Sequence, residues 1–152
     1  MKTYAANILL DGRKCLVVGG GKVAERKVRS LLDAGGNVTI MSPRLSKELT
    51  ALHEKKKMRF LKQTFTETIF EKELFFLCIA ATDSEETNKQ VRDACRKRRI
   101  LVCLVDNWQE GDFIVPAVGR SGTFTIAVSS AGEDCRGSAQ TRDRIVTLLE
   151  KQ

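Results

Sequence analysis

The sequence predicts an α/β protein: a Rossmann-like, doubly wound parallel sheet followed by a C-terminal β-hairpin plus helix. Three observations carry this. Short continuous apolar runs, the pattern of strands buried on both faces, alternate with segments of helical periodicity. The first such run leads directly into three consecutive glycines and then a helix. After Asp106 the alternation stops, and two strands follow each other across a polar turn.

The elements justify themselves in order. Asp11-Gly12 is a turn signal. Cys15-Leu16-Val17-Val18 is the first strand and Gly19-Gly20-Gly21 the turn after it. Ala24, Val28, Leu31 and Leu32 recur at helical spacing, and Gly35-Gly36 stops that helix. Residues 38–41 form the second strand. Ser42-Pro43 is expected to open a helix through Leu45, Leu49 and Leu52. Residues 58–61 form a third strand, followed by a short polar segment. Residues 74–79 form a fourth strand, expected to be buried along its whole length. Thr82-Asp83-Ser84-Glu85 reads as a capping box for a helix carrying Val91, Ala94 and Cys95 on one face. Residues 100–105 are the fifth strand, ending at Asp106. Residues 113–116 and 124–128 are expected to pair across the turn Gly119-Arg120-Ser121-Gly122. Ser129-Ser130-Ala131-Gly132 then leads to a terminal helix with Ile145, Val146 and Leu149.

The chain has 152 residues, enough for a sizeable core. We divide it into a dinucleotide-binding part, residues 1–111, and an added element, residues 112–152. It is 42% hydrophobic and 30% charged, as expected of a soluble globular chain. No apolar run approaches the roughly 18–20 residues that span a bilayer, and the N-terminus lacks a signal pattern. The expected location is the cytoplasm, with no membrane partner. The 5 cysteines contain no C-x-x-C pair, so neither a zinc ribbon nor a redox motif is indicated. Cys15, Cys78 and Cys103 lie in strand-like runs and read as small buried hydrophobes. No metal ligands are assigned. The net charge is +7, with Arg96-Lys97-Arg98-Arg99 as the densest cluster. That cluster closes a helix, where cations complement the dipole, and it lacks the interleaved aromatics of a nucleic-acid site. No nucleic-acid partner is expected. The overall field suits a carboxylate-rich small molecule.

The glycine turn carries the chemistry. Gly19-x-Gly21-x-x-Ala24 follows a strand and opens a helix. Gly19 permits the tight turn, Gly21 lets a pyrophosphate approach the backbone, and Ala24 allows the helix to pack on the strand. The free N–H groups of Lys22, Val23 and Ala24 and the helix dipole favour phosphate. Gly20 completes the turn. The acidic residue that often holds the ribose is missing. Ser42-Pro43 end the second strand instead; Ser42 can hydrogen-bond the ribose, and Arg44 can accept a 2′-phosphate. The residues leave NAD and NADP both open. Thr82 and Asp83 follow the fourth strand, where they either line the cofactor cleft or cap the next helix.

Four segments resemble precorrin-2 dehydrogenases, the N-terminal part of siroheme synthases. They are residues 17–27 around the glycine turn, Ala80-Ala81-Thr82-Asp83 with Asn88, residues 104–106 with 113–117, and residues 126–132. They occur in family order and cover most of the chain from Asp11 to about Gly132. The resemblance implies NAD as cofactor and the oxidation of the tetrapyrrole precorrin-2 to sirohydrochlorin. It implies a homodimer formed through the C-terminal part. Some relatives also insert iron or cobalt, so a bifunctional dehydrogenase–chelatase is a second reading. Asp106 matches the family's proposed catalytic residue, and Ser130 lies in its substrate region. Three departures stand out. Cys103 replaces the usual asparagine, Glu133-Asp134-Cys135 replaces Ser/Thr-Ser-Pro, and the chain ends at Gln152, where longer relatives continue into a helical region. The chain is expected to be a short form.

The residues supply chemistry of their own. Asp106, at the carboxyl end of the fifth strand, is a candidate base; a turn aspartate before Asn107 is the alternative. Ser129, Ser130 and Gly132 precede a helix whose N–H groups could hold a substrate carboxylate, with capping by Ser or Asp134 as the alternative. Arg120 could reach a carboxylate from the hairpin turn or simply be solvated there. His53, between strands two and three, reads as a surface residue. A third class, a dinucleotide-sensing regulatory module, commonly has an acidic residue ending strand two and leaves residues 106–132 unexplained.

Overall fold

A computed structural model describes residues 2–151, and the chain divides into two units. The first, Asn7–Phe113, holds a five-stranded parallel sheet. Its elements are β1 (Lys14–Val18), α1 (Lys22–Asp33), β2 (Asn37–Met41), α2 (Lys47–Glu54), β3 (Arg59–Leu61), α3 (Ile69–Lys72), β4 (Leu77–Ala80), α4 (Glu85–Lys97) and β5 (Leu101–Leu104). A single 3-10 turn, Trp108–Glu110, follows β5. The strand order is β3-β2-β1-β4-β5. The chain therefore winds outward from β1 in one direction, then returns to β4 and winds in the other. This is the doubly wound arrangement, with its switch point between β1 and β4.

Strand alternation sorts the core onto two faces. Leu16, Val18, Cys78, Ala80, Val102 and Leu104 form one buried cluster with Val91, Ala94 and Cys95 of α4 and with Ile69 and Phe70 of α3. Cys15, Val17, Val38 and Ile40 take the opposite face, all at most 1% exposed. There α1 presents buried Ala24, Val28 and Leu31. The cysteines in the strands are buried, as is Cys95, while Cys135 is exposed.

Several expected boundaries move. The helix after β2 begins at Lys47, capped by Ser46, whose Oγ accepts the Leu49 N–H at 3.3 Å. Ser42 does not cap it: it lies in the loop before Ser46, where its hydroxyl accepts the Arg44 N–H at 3.4 Å and donates to the Arg44 carbonyl at 2.7 Å. The polar segment after β3 contains α3. The fourth strand starts at Leu77, not Leu74, which is exposed. The cap of α4 is Ser84, which accepts the Thr87 N–H; neither Thr82 nor Asp83 is the capping residue, though the Thr82 hydroxyl braces the cap by accepting the Ser84 N–H at 3.2 Å. His53 is exposed, its ring edge-on to Phe60, as expected of a surface residue.

The second unit comprises residues 2–6 and 114–151 of those described. It contains β6 (Ala117–Ser121), β7 (Phe124–Val128) and α5 (Cys135–Leu149). The antiparallel hairpin pairs Ala117 with Val128 and Ser121 with Phe124. The expected first strand at 113–116 is thus displaced, and Gly119 and Arg120 lie in β6 rather than in the turn. The reason is packing. A β-carbon on Gly119 would stand 2.6 Å from Val146 Cγ2 and 2.8 Å from Arg142 Cδ, so the glycine lets α5 rest on the strand. Arg142 also donates to the Val118 carbonyl at 3.1 Å.

Candidate dinucleotide and active site

The site is built at the carboxyl ends of β1, β4 and β5. Gly19 leaves β1 with φ +121°, a conformation that excludes most side chains. Its N–H donates to the Met41 carbonyl at 3.0 Å, tying the turn to β2. Gly20 is walled in: a β-carbon there would overlap the Arg44 carbonyl oxygen and stand 2.6 Å from Ser42 Oγ. The Gly20 carbonyl accepts the Ser46 N–H at 2.8 Å, and the Ser46 hydroxyl donates to Glu25 at 3.1 Å. The loop from Ser42 to Ser46 therefore wraps the glycine turn and cements it to α1.

Gly21 differs from both. Its backbone is ordinary extended chain, φ −88°, and a β-carbon on it would meet nothing within 4 Å. Neither backbone strain nor packing within the protein requires glycine there. Gly21 is also the N-cap of α1 and supplies no side-chain hydrogen bond to it, whereas Ser46, Ser84 and Asp134 cap α2, α4 and α5. The helix that starts at the switch point thus has an uncapped N-terminus beside open space. Partial positive charge and N–H groups converge there. These residues fit a dinucleotide pyrophosphate, with Lys22 and Val23 in the first helical turn and Ala24 buried against the sheet.

The neighbouring strand ends carry a polar network. Asn88, on the buried face of α4 with no exposure, joins two of them. Its Oδ1 accepts the Thr82 N–H at 3.2 Å and lies 2.8 Å from the Thr82 hydroxyl. Its Nδ2 donates to the Thr82 carbonyl at 3.1 Å and to Asp106 Oδ2 at 2.8 Å. Asp106 is itself exposed, in the bend after β5. Glu110 and Asp112 fasten the rest of that bend. The Glu110 carboxylate pairs with Arg92, its carbonyl accepts from Arg96 at 2.8 Å, and Asp112 Oδ2 accepts the Val102 N–H at 2.9 Å. Asp83 is exposed beside Thr82. Pro43 is exposed and Ser42 buried in the loop after β2.

Sequence reasoning did not assign Asn88 to the site. The available signal was a polar residue on the apolar stripe of α4, three residues before Val91 and seven before Cys95.

In the second unit the expected substrate residues form a closed loop of their own. Ser129 Oγ accepts the Ala131 N–H at 3.1 Å, and Ser130 Oγ accepts the Asp134 N–H at 2.7 Å. Ala131 and Gly132 turn the chain with φ 53° and 88°. Asp134 caps α5 by accepting the Gly137 N–H at 2.7 Å, so capping is what this helix end shows. Arg120 is exposed on β6, opposite Thr125.

A cavity of about 270 Å³ lies elsewhere, along β3, lined by Arg59, Leu61, Thr68 and Glu73 among others. Burial alone would raise the Glu73 carboxyl, but hydrogen bonds from Arg59 and Lys14 hold it below its ordinary value. That pair is a structural clamp between strand starts.

The chain resembles proteins of known name. It is 34% identical over 140 residues to a siroheme synthase of Psychromonas ingrahamii and 36% identical to one of Salmonella dublin. Each alignment covers 92% of this chain and 29% or 30% of the relative, so the chain spans about three-tenths of the curated relatives it matches. A solved structure titled "SirC, precorrin-2 dehydrogenase" superposes with TM-score 0.81 and 25% identity, covering 97% of this chain and 74% of that one. That match establishes the Rossmann-like architecture with its C-terminal hairpin and helix. Residues 6–117 match the family described as "Putative NAD(P)-binding", and the chain belongs to that family.

Proposed function

We propose that this chain is an NAD-dependent dehydrogenase that oxidises precorrin-2 to sirohydrochlorin. One observation carries the reading. An uncapped helix N-terminus beside an open glycine shares a sheet edge with an exposed carboxylate, Asp106, fixed by a buried amide. The likeness to siroheme synthases and to a precorrin-2 dehydrogenase supports the substrate.

Gly19 to Ala24 would hold the pyrophosphate, with Ser42, Pro43, Thr82 and Asp83 around the rest of the dinucleotide. When bound, NAD supplies the hydride acceptor. The oxidation also releases a proton, and Asp106 is the group proposed to accept or relay it. A substrate rich in carboxylates is drawn by the +7 charge. Arg120 is proposed to meet one of those carboxylates. The loop of Ser129, Ser130 and Gly132 would contribute its shape, since its hydroxyls already serve the loop.

We also infer a homodimer. Among the described residues, no buried apolar side chain lies beyond Leu104, so the second unit has no core of its own. Phe124 and Leu148 are exposed there. A hairpin with one helix is marginal alone in water, and a second copy is the simplest cover.

The test is spectroscopic. Purified chain with precorrin-2 and NAD is expected to build the NADH and sirohydrochlorin absorbances together. Binding of NAD with no turnover would overturn the enzyme reading in favour of a sensing module.

A further inference from the structure

We propose that Asn88 is a positioning residue that sets the orientation of the Asp106 carboxylate, an inference that rests on the dehydrogenase reading above. The hydrogen bonds leave its amide one orientation. The Thr82 N–H can only donate and the Thr82 carbonyl can only accept. The first therefore claims Asn88 Oδ1, at 3.2 Å, and the second claims Nδ2, at 3.1 Å. A flipped amide would break both. With the amide fixed, the remaining Nδ2 hydrogen can only point at Asp106 Oδ2, 2.8 Å away. The donor is wholly buried, while the carboxylate it holds is exposed.

The consequence is mechanical. Asp106 lies in a bend after β5, and a free carboxylate in a bend samples several rotamers. Asn88 ties one oxygen to the end of β4 through two backbone bonds to Thr82. The carboxylate is therefore held against the central sheet instead of rotating freely about its own side-chain bonds. Its other oxygen is left to meet the substrate proton. The same amide also links Thr82, beside the cofactor turn, to Asp106. Misplacing a reacting group by about 1 Å costs rates of order 10²-fold, so a tether of this kind carries catalytic weight without touching substrate.

Two measurements test it. The first is a double-mutant cycle with Asn88→Ala and Asp106→Ala, in which contacting residues couple and independent ones add. With Asp106 present, Asn88→Ala is expected to lower kcat roughly 10–100-fold. In the Asp106→Ala background it is expected to change kcat less than about 2-fold. An equal loss in both backgrounds would show that Asn88 only supports the fold and would overturn the proposal. The second measurement needs no turnover and no Asn88 variant. The ¹⁵N–¹H side-chain signals of Asn88 are compared between the parent and Asp106→Ala. One Nδ2 proton is expected to shift and exchange faster, while its partner, bound to Thr82, stays put. Two unchanged protons would overturn the tether. A parent that gives the tether signal but no oxidation of precorrin-2 would leave Asn88 holding Asp106 and bring down the dehydrogenase reading alone.

Discussion

Gly19 and Ala81 touch backbone to backbone. A β-carbon on Gly19 would overlap the Ala81 carbonyl oxygen and stand 2.6 Å from its carbonyl carbon. Both neighbours are main chain at the ends of adjacent strands, so neither can move aside. The left-handed φ of +121° adds strain for any other residue. Gly19→Ala is expected to destabilise the protein by more than the about 1–3 kcal/mol of the backbone strain alone. Thermal and urea melts check this. A variant that melts with the parent would mean that β1 and β4 do not close on each other at this point.

Gly21 should behave in the opposite way. With an ordinary φ and open space around it, Gly21→Ala should change stability by no more than about 0.5 kcal/mol. Gly21→Asp should also fold, yet lose NAD binding, since it sets bulk and negative charge where the pyrophosphate is proposed. Calorimetry on a folded Gly21→Asp variant is decisive: unchanged affinity would remove the cofactor from this turn.

The contrast shows what sequence could and could not reveal. The parallel sheet was legible because β1, β2, β4 and β5 are built on apolar runs, as burial on both faces demands. The glycine turn was legible because its spacing sits between a strand and a helix. Ends were harder. Leu74 and Phe75 extend the apolar run before β4, but the backbone meets its neighbour only from Phe76, whose N–H donates to Lys14. Ser42 has the residue type of a cap, but its hydroxyl is spent on Arg44. Gly119 looks like a turn residue and is a strand residue, because its value depends on Val146, 27 positions away in sequence. Arg99 and Lys56 follow α4 and α2 in left-handed conformation where the stop after α1 uses Gly35. The network of Thr82, Asn88 and Asp106 joins three elements, and only the fold brings them together.

The cysteines should divide cleanly by reactivity. Burial pushes the Cys15 thiol up to about 11 and also raises Cys78 well above its ordinary value, with Cys95 beside it adding to the shift. Alkylation of the native protein near neutral pH should label Cys135 and spare Cys15, Cys78, Cys95 and Cys103. Peptide mass mapping reads the outcome. Cys15 also gives stability a pH slope. Between its ordinary 9.0 and about 11, the unfolded chain releases a proton that the folded chain keeps. Stability is therefore whole below pH 9 and falls as pH rises through that window. Cys15→Ala should flatten part of the fall, and an unchanged slope would place its source elsewhere.

The homodimer should depend on the second unit. Phe124 stands opposite Ser121 in the hairpin and is 68% exposed. Phe124→Asp puts a charge on the exposed apolar surface while leaving β6 paired to β7. Light scattering should report a dimer for the parent at micromolar concentration and a monomer for the variant. A monomeric parent would count against the inferred dimer directly.

Asp106 should matter for turnover and not for cofactor affinity. It lies in the bend after β5, while the glycine turn follows β1, and β4 stands between these two strands. Asp106→Asn keeps the shape of the side chain and removes its charge and basicity. It also places an amide against Asn88 Nδ2, where the new group can still accept through its oxygen. The network with Thr82 should therefore survive, and the fold with it. If Asp106 takes the substrate proton, the rate should fall by roughly 10²–10⁴-fold, the range of a lost general base. NAD affinity should hardly move. Asp106→Glu separates basicity from placement: it restores the carboxylate but pushes it a methylene beyond the reach set by Asn88. It should recover only part of the rate, because a misplaced base works poorly. Iron or cobalt insertion, where the chain performs it, would use the same carboxylate, since an amide is the poorer ligand for a borderline cation. An Asp106→Asn variant that oxidises precorrin-2 at the parental rate yet fails to insert metal would move the residue from oxidation to chelation. One that does both at parental rate would leave Asp106 as a turn residue and return the proton to water.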